Sequence, residues 1–312
     1  MDLSILVPTT GRWSLATALS SADASALECG LRAELIVIDD RLHTAEPLDI
    51  PSELYSRVRV VNSGGRGLPA ARNTGWAAAS GTFVALLDDD DAVCAHHFCT
   101  LIEACEAYPS MRGAYSGVNN IVRAKDASGR IRVSASLSFG WHFNEAQLQV
   151  ANTIIPSSVI LRRAGRPIVF DENLNVQEDW EAWLCLLSRG ERLKYTGHAT
   201  SAYSKDTIAP RSATVRASCE LEVLRYFARG YDALCYRYPT AEQATLDARR
   251  RMRDRYQNWQ TMLIAGMSLP VNYYEMSLAE EFGDASAFQC CSLSNALYRE
   301  LRERENRSRS IE

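Results

Sequence analysis

The chain has 312 residues, enough for one large or two modest domains, and its 46% hydrophobic and 23% charged residues fit a soluble globular protein. A net charge of −4, from 34 basic and 38 acidic residues, excludes a global pull toward nucleic acid. No basic and apolar leader opens the chain and no apolar run approaches the length of a membrane span, so a cytoplasmic protein is expected. The nine cysteines are odd in number, scattered and without a C-x-x-C pair, so mostly reduced thiols are expected. Cys94, Cys99 and Cys105 lie near His96 and His97, but their spacing matches no zinc pattern, and small core residues are the better reading.

In chain order, residues 3–7 read as a buried strand ended by Pro8, Thr9, Thr10 and Gly11. Residues 13–27 carry Leu15, Ala18, Leu19, Ala22 and Ala26 near helical spacing. Strands follow at 35–38 and 58–61, and the first of these ends in Asp39 and Asp40. A helix is expected over 69–80, with Pro69 in its first turn and Gly81 past its end. The fourth strand, 83–87, runs straight into Asp88-Asp89-Asp90-Asp91. Alternation at this spacing predicts an α/β fold with a mainly parallel central sheet flanked by helices. Beyond Asp91 a helix is expected at 95–108, strands at 114–122 and 130–137 around a turn at 126–129, and a strand at 157–161. A helix around Trp180, Trp183, Leu184 and Leu187 stops at Gly190, and weaker strands are expected at 193–195 and 200–203. From about residue 217 the chain reads as helical, at 217–228, 241–263 and 292–303, ahead of a tail over 299–312. A polar stretch over 205–216 forms a soft boundary.

Ligands sit beyond the carboxyl ends of strands in parallel sheets, so Thr9, Asp39, Asp40 and residues 88–91 are expected at one edge. Four adjacent carboxylates repel one another and raise each other's pKa unless a cation joins them, and Mg2+ or Mn2+ is the natural partner. A solvated acidic turn is the bland alternative. Gly65, Gly67 and Ala70 satisfy a loose dinucleotide fingerprint, which keeps an NAD-type oxidoreductase as a runner-up. Arg72 and Asn73 open the following helix, where they face either a diphosphate or plain solvent. Asp179 stands at a helix start, as a cap or as the base that takes a proton from an attacking hydroxyl.

These motifs in this order closely resemble family 2 glycosyltransferases of the GT-A fold. The resemblance rests on Ile5-Leu6-Val7-Pro8-Thr9, Val37-Ile38-Asp39-Asp40, Ala71-Arg72-Asn73-x-Gly75, Ala79-x-Gly81, Leu87-Asp88-Asp89-Asp90-Asp91 and Glu178-Asp179-Trp180, and runs from residue 3 to about 203. It implies a GT-A nucleotide-diphospho-sugar transferase domain over 1–205, with a nucleotide-binding half over about 1–110 and an acceptor half over about 111–205. A helical C-terminal extension follows over 206–312. The implied activity is a nonprocessive, inverting transfer from a nucleotide-diphosphate sugar, UDP- or dTDP-linked, with Mn2+ or Mg2+. Pro8, Thr9, Asp39, Arg72, Asp88 and Asp89 are implied to bind the nucleotide sugar, Asp90 and Asp88 the metal, and Asp179 to be the catalytic base. The sequence departs from the family at Arg41 and Leu42, where Gly-Ser is common, and in having no histidine just after Tyr203.

A saccharide, lipid-linked or small-molecule acceptor is expected in the half where Trp141, His142 and Trp180 offer rings for stacking, although core packing better suits at least one Trp. The stretch 205–216 reads as a loop that closes on the donor, with Arg211 or Arg216 meeting phosphate. The basic run over 249–255 suits a solvated helix face, a peripheral contact at the inner membrane face, or a homodimer interface. A noncatalytic sugar-nucleotide-binding scaffold is the alternative from another class.

Overall fold

The computed structural model describes residues 1–42, 46–125, 131–174, 176–206, 213–270 and 272–283. The expected turn at 126–129, Asn175, Arg211, the side chain of Arg216, the expected helix at 292–303 and the tail at 299–312 lie outside the described residues.

Four strands, β1 (Leu3–Thr9), β2 (Ala33–Asp39), β3 (Val58–Asn62) and β4 (Phe83–Leu86), pair in parallel in the order β3-β2-β1-β4. β1 is apolar on both faces because both are covered. Leu3, Ile5 and Val7 pack with Leu15, Ala18 and Leu19 of helix α1 (Leu15–Glu28). Leu6 faces the other way, onto Ala71 and Trp76 of helix α2 (Leu68–Ala78). Gly67, at φ 96°, turns the chain into α2, a conformation that a side chain resists. Gly75 lets α2 lie close on the sheet, since a Cβ there would meet Ile38 Cδ1 at 2.8 Å.

The acidic link after β4 leads to β5 (Ala92–Val93), helix α3 (His97–Ala107), β6 (Gly113–Lys125), β7 (Ile131–Phe139) and helix α4 (Glu145–Val150). β8 (Val159–Arg162), helix α5 (Glu178–Ser188) and β9 (Leu193–Asp206) complete the sheet, in the order β3-β2-β1-β4-β8-β6-β9-β5 with β7 also on β6. β8 is antiparallel to β4 and β6, and β6 is parallel to β9. Residues 87–91 therefore carry the chain from β4 to a strand four places further along, and the sheet curls around that link. Helices α6 (Ala213–Arg237), α7 (Gln243–Ile264) and α8 (Tyr273–Phe282) follow. Their Tyr231, Met252, Tyr256, Trp259 and Leu278 join the same core cluster as Leu6, Ile36 and Trp180. Among the described residues no helix is long and apolar enough to cross a membrane.

Several expectations change. Strands expected at 193–195 and 200–203 are one strand, because a register shift around Gly117 of β6 accommodates the residues between them. α4 escaped the sequence reading because it is short. Asn144 caps it by accepting from the backbone N–H of Gln147 at 3.0 Å. α6 continues past Ala228 through Gly230, whose missing side chain makes room for Gln177. Cys29 and Cys99 form a disulfide, an exception to the mostly reduced thiols expected, and tie the end of α1 to α3 across 70 residues. Trp141 and Trp180 are both core residues rather than stacking platforms. The Trp180 ring lies on Tyr231 with centroids 5.4 Å apart, and its N–H donates to the Leu148 carbonyl at 2.7 Å. His142 is exposed, edge-on to Tyr195. The basic run is paired within the fold, although Arg250, Arg251 and Arg253 keep half-exposed side chains. Arg249 is buried and donates to the carbonyls of Gln149, Cys235 and Tyr238, while Arg251, Arg253 and Arg255 pair with Glu281, Asp232 and Glu280.

Gly81 is enclosed by backbone, since a Cβ there would lie 2.6 Å from Ser4 N and 2.8 Å from Phe83 O. Gly81→Ala is expected to lower stability by about 1–3 kcal/mol, because main chain on both sides cannot yield cheaply. An unchanged denaturation midpoint would show that β1 and β4 are less tightly seated than described.

Candidate active site

The carboxyl ends of β1, β2 and β4 open onto a cleft of about 270 Å3 lined by Pro8, Thr9, Thr10, Arg12, Asp40, Leu68, Ala71, Asp88, Asp89, Asp90, Tyr203 and Ser204. Thr9 pairs with Asp39 in the β1–β2 register, and its Oγ1 donates to Asp89 Oδ2 at 2.5 Å. The acidic turn is therefore tied to β1. It is also tied to the turn before β8 and to β9: the Asp88 N–H donates to Ser157 Oγ at 3.0 Å, and Asp91 Oδ1 accepts from the Ser204 N–H at 2.8 Å.

Each of the four acids meets a different environment. Asp91 is buried, and desolvation with its acidic neighbours pushes its carboxyl well above the usual range. Asp89 is buried and raised by desolvation, with the Thr9 hydroxyl and Arg12 opposing. Asp90 is pushed up to about 6, by desolvation first and then by Asp88, while Arg12 pulls the other way. Arg12 Nη1 pairs with Asp90 and lies 3.3 Å from Asp89 Oδ1. Asp88 Oδ1 accepts from Arg72 Nη2 at 2.8 Å.

Arg72 is only 1% exposed in its side chain and spans two acids, since its Nη1 donates to Glu178 Oε1 at 2.5 Å. Its guanidinium also lies 5.4 Å from the centre of the Phe170 ring. Burial works against its charge, but Asp88, Glu178 and Asp179 more than offset this and raise its pKa. Arg72 thus joins the acidic turn to the start of α5 instead of presenting a free face to the cleft. Asn73 is likewise engaged: its side chain donates to the Phe170 carbonyl and accepts from the Phe170 N–H.

Asp179 follows Glu178 at the start of α5. Its Oδ2 accepts from Asn152 Nδ2 and its Oδ1 from the Trp180 N–H, both at 2.8 Å. Desolvation and the adjacent Glu178 push its carboxyl up to about 7, against Arg72. Gln177, just before the pair, sits at φ 61° and ψ 21°, the left-handed region. That costs a non-glycine residue about 1–3 kcal/mol and persists only where surroundings enforce it. Here Tyr256 receives the Gln177 amide at 3.4 Å.

Of the residues singled out in the sequence, Pro8, Thr9, Asp88, Asp89 and Asp90 line the cleft. Asp39 does not line it: Arg41 grips both its oxygens at 2.8 Å and holds its carboxyl below the usual range. Asp179 is also outside the lining, joined to it through Glu178 and Arg72. Arg12, Tyr203 and Ser204 line the cleft without having been singled out for it. Arg12 had a signal in sequence, a basic residue three places past the first strand's end, but its acidic partners stand 78 residues away.

The glycine loop has an unexpected occupant. Asp40 accepts from Ser63 Oγ at 2.5 Å, Arg66 N at 3.0 Å and Gly67 N at 2.9 Å. A carboxylate therefore takes the amides that a dinucleotide's pyrophosphate would need, which disfavours the oxidoreductase reading. Among the described residues no group of three or more His, Cys, Asp or Glu side chains could hold a metal by itself. Asp88 and Asp90 still offer hard oxygen donors on the cleft wall, and the crowding that raises Asp90 is what a cation relieves. Two carboxylates completed by substrate phosphates are a common seat for Mg2+. These residues fit an ion that arrives with its nucleotide.

Residues 4–151 match the family described as Glycosyl transferase family 2. A comparison with curated proteins gave no match. The crystal structure of S. aureus TarS 1–349 in complex with UDP is similar at 17% identity and TM-score 0.51, covering 90% of this chain and 80% of that one. The structure of S. aureus TarS 1–349 in complex with UDP-GlcNAc has 17% identity and TM-score 0.49, over 89% of this chain and 76% of that one. The family match covers the β1, β2 and β4 strand ends and the acidic turn of the cleft but slightly less than half of the chain, and the TarS–UDP likeness shows that the chain shares the GT-A fold.

Proposed function

We propose that this enzyme moves a sugar from a UDP- or dTDP-linked donor to an acceptor hydroxyl by single displacement, with inversion at the anomeric carbon. The observation that carries the proposal is the buried Arg72 bridge between Asp88, on the donor cleft, and Glu178, beside Asp179. One guanidinium fixes the acid that faces the donor and the neighbour of the acid that would receive the acceptor's proton. The UDP in the similar TarS structure supports the nucleotide assignment. Asp88 and Asp90 would hold Mn2+ or Mg2+, which supplies positive charge to the leaving diphosphate.

The remaining work falls to the chain's own groups. Thr9 fixes Asp89 and so the height of the acidic turn. Asn152 and the Trp180 N–H orient the Asp179 carboxylate, leaving it lone pairs for an acceptor's hydroxyl proton. A base near pKa 7 balances being ionised against binding the proton strongly at neutral pH. The acceptor is a saccharide, a lipid-linked sugar or a small molecule with a free hydroxyl.

Asp179→Asn is expected to lower kcat by about 100- to 10,000-fold while UDP binding with Mn2+ persists. Lost nucleotide binding, or transfer near the wild-type rate, would refute the base assignment. Asp90→Ala is expected to abolish the Mn2+-dependent part of UDP affinity in calorimetry, and an affinity equal to wild type would refute Asp90 as a ligand.

The pH dependence has two opposite signs. Activity rises as Asp179 ionises, so the acid limb of the kcat profile is expected near pH 7 and absent in any residual rate of Asp179→Asn. For stability, the native Asp179 keeps a proton that an unfolded aspartate loses above about pH 4. Its contribution is therefore present below about pH 4 and declines as pH rises to 7, by linkage. Unfolding midpoints of wild type and Asp179→Asn measured at pH 5 and 8 are expected to shift in Asn's favour at pH 8. A constant difference would show that Asp179 is not raised.

A further inference from the structure

The acidic turn has two cations with different freedoms. Arg72 is buried, paired on two sides and unable to leave. Arg12 has a side chain 52% exposed, follows Gly11 on the link between β1 and α1, and lines the cleft itself. It reaches Asp90 and Asp89 with the same Nη1 atom. The Asp90 oxygen in that pair belongs to the carboxylate best suited to a divalent ion. A guanidinium and a doubly charged ion on that carboxylate repel each other and compete for its lone pairs.

We infer that Arg12 competes with the divalent cation for Asp90 and, once displaced, binds the donor's diphosphate. The inference rests on the reading of this cleft as a nucleotide-sugar site and adds a coupling to it. A displaced Arg12 remains in the cleft, where a diphosphate brings the remaining negative charge. A planar guanidinium suits phosphate oxygens, which it can grip through two parallel N–H bonds. Arg12 thus weakens the cation's hold without nucleotide and strengthens the nucleotide's hold with the cation. This arrangement makes binding of the two partners cooperative, because each removes an obstacle to the other.

The test is calorimetry on the full chain with Mn2+ alone and then with UDP, dTDP or uridine in saturating Mn2+, for wild type, Arg12→Gln and Arg12→Lys. For Arg12→Gln, Mn2+ alone is expected to bind about two- to fivefold more tightly, since a half-exposed ion pair no longer opposes it. UDP is expected to bind about 10- to 100-fold more weakly, through loss of a charge-assisted contact, while uridine binding stays unchanged. Arg12→Lys is expected to keep the competition with Mn2+ and recover part of the UDP affinity. A residue with a merely structural role would weaken both ligands or neither. Changes in one direction for both Mn2+ and UDP, or Arg12→Gln indistinguishable from wild type, would overturn the coupling while leaving the glycosyltransferase reading intact. A wild type that binds neither UDP nor dTDP with Mn2+ would overturn both.

Discussion

A guanidinium buried between two carboxylates sets the geometry of this protein's site. Arg72 comes from α2, Asp88 from the turn after β4 and Glu178 from the start of α5, and the guanidinium ties these three elements together. Removing one partner of such a buried set leaves uncompensated charge and typically costs about 3–5 kcal/mol. The set is therefore a weak source of net stability but a strong constraint on arrangement. It can be satisfied only when the parallel half of the sheet and the α5 segment are docked in one register. Asp179 inherits its position from that constraint, one residue beyond Glu178.

The surrounding electrostatics follow from crowding. Four adjacent acids in a partly closed site repel one another, and the fold gives each a different partner. Asp91 is buried and anchored to Ser204, Asp89 is anchored to Thr9, Asp88 is claimed by Arg72, and Asp90 is left to Arg12 on the cleft wall. The least committed acid is thus the one with an exchangeable partner. Asp40, by contrast, organises the glycine loop from within, so a motif that looks like a phosphate cradle in sequence is already filled by a carboxylate.

The parts legible in the sequence were those written locally. Apolar runs at the first four strands, Pro69 at a helix start and acids at strand ends gave the parallel half of the sheet and the edge where the cleft opens. Gly75 and Gly81 were visible as motif members, but only the packing explains them: one lets α2 approach Ile38 and the other fits between main chains. What could not be read was written at long range. Arg72 looked like a residue facing phosphate because its second partner lies 106 positions later. The Cys29–Cys99 bridge spans 70 positions with no motif to announce it. The basic run on α7 looked like a free surface because the acidic partners of Arg251, Arg253 and Arg255 belong to α6 and α8. Trp180 looked like a platform for a sugar because the ring it stacks on, Tyr231, comes from α6.

The central claim is that acids from separate segments and one buried arginine shape a single cleft in which a nucleotide's phosphates and a cation are gripped beside a base. The most direct measurement is anomalous diffraction from crystals of the protein grown with UDP and Mn2+. The account predicts one manganese peak against Asp90, bridged to diphosphate oxygens, with the Asp179 carboxylate open to the same cleft. A manganese peak remote from residues 88–91, or UDP bound with Asp179 sealed away from it, would contradict the account.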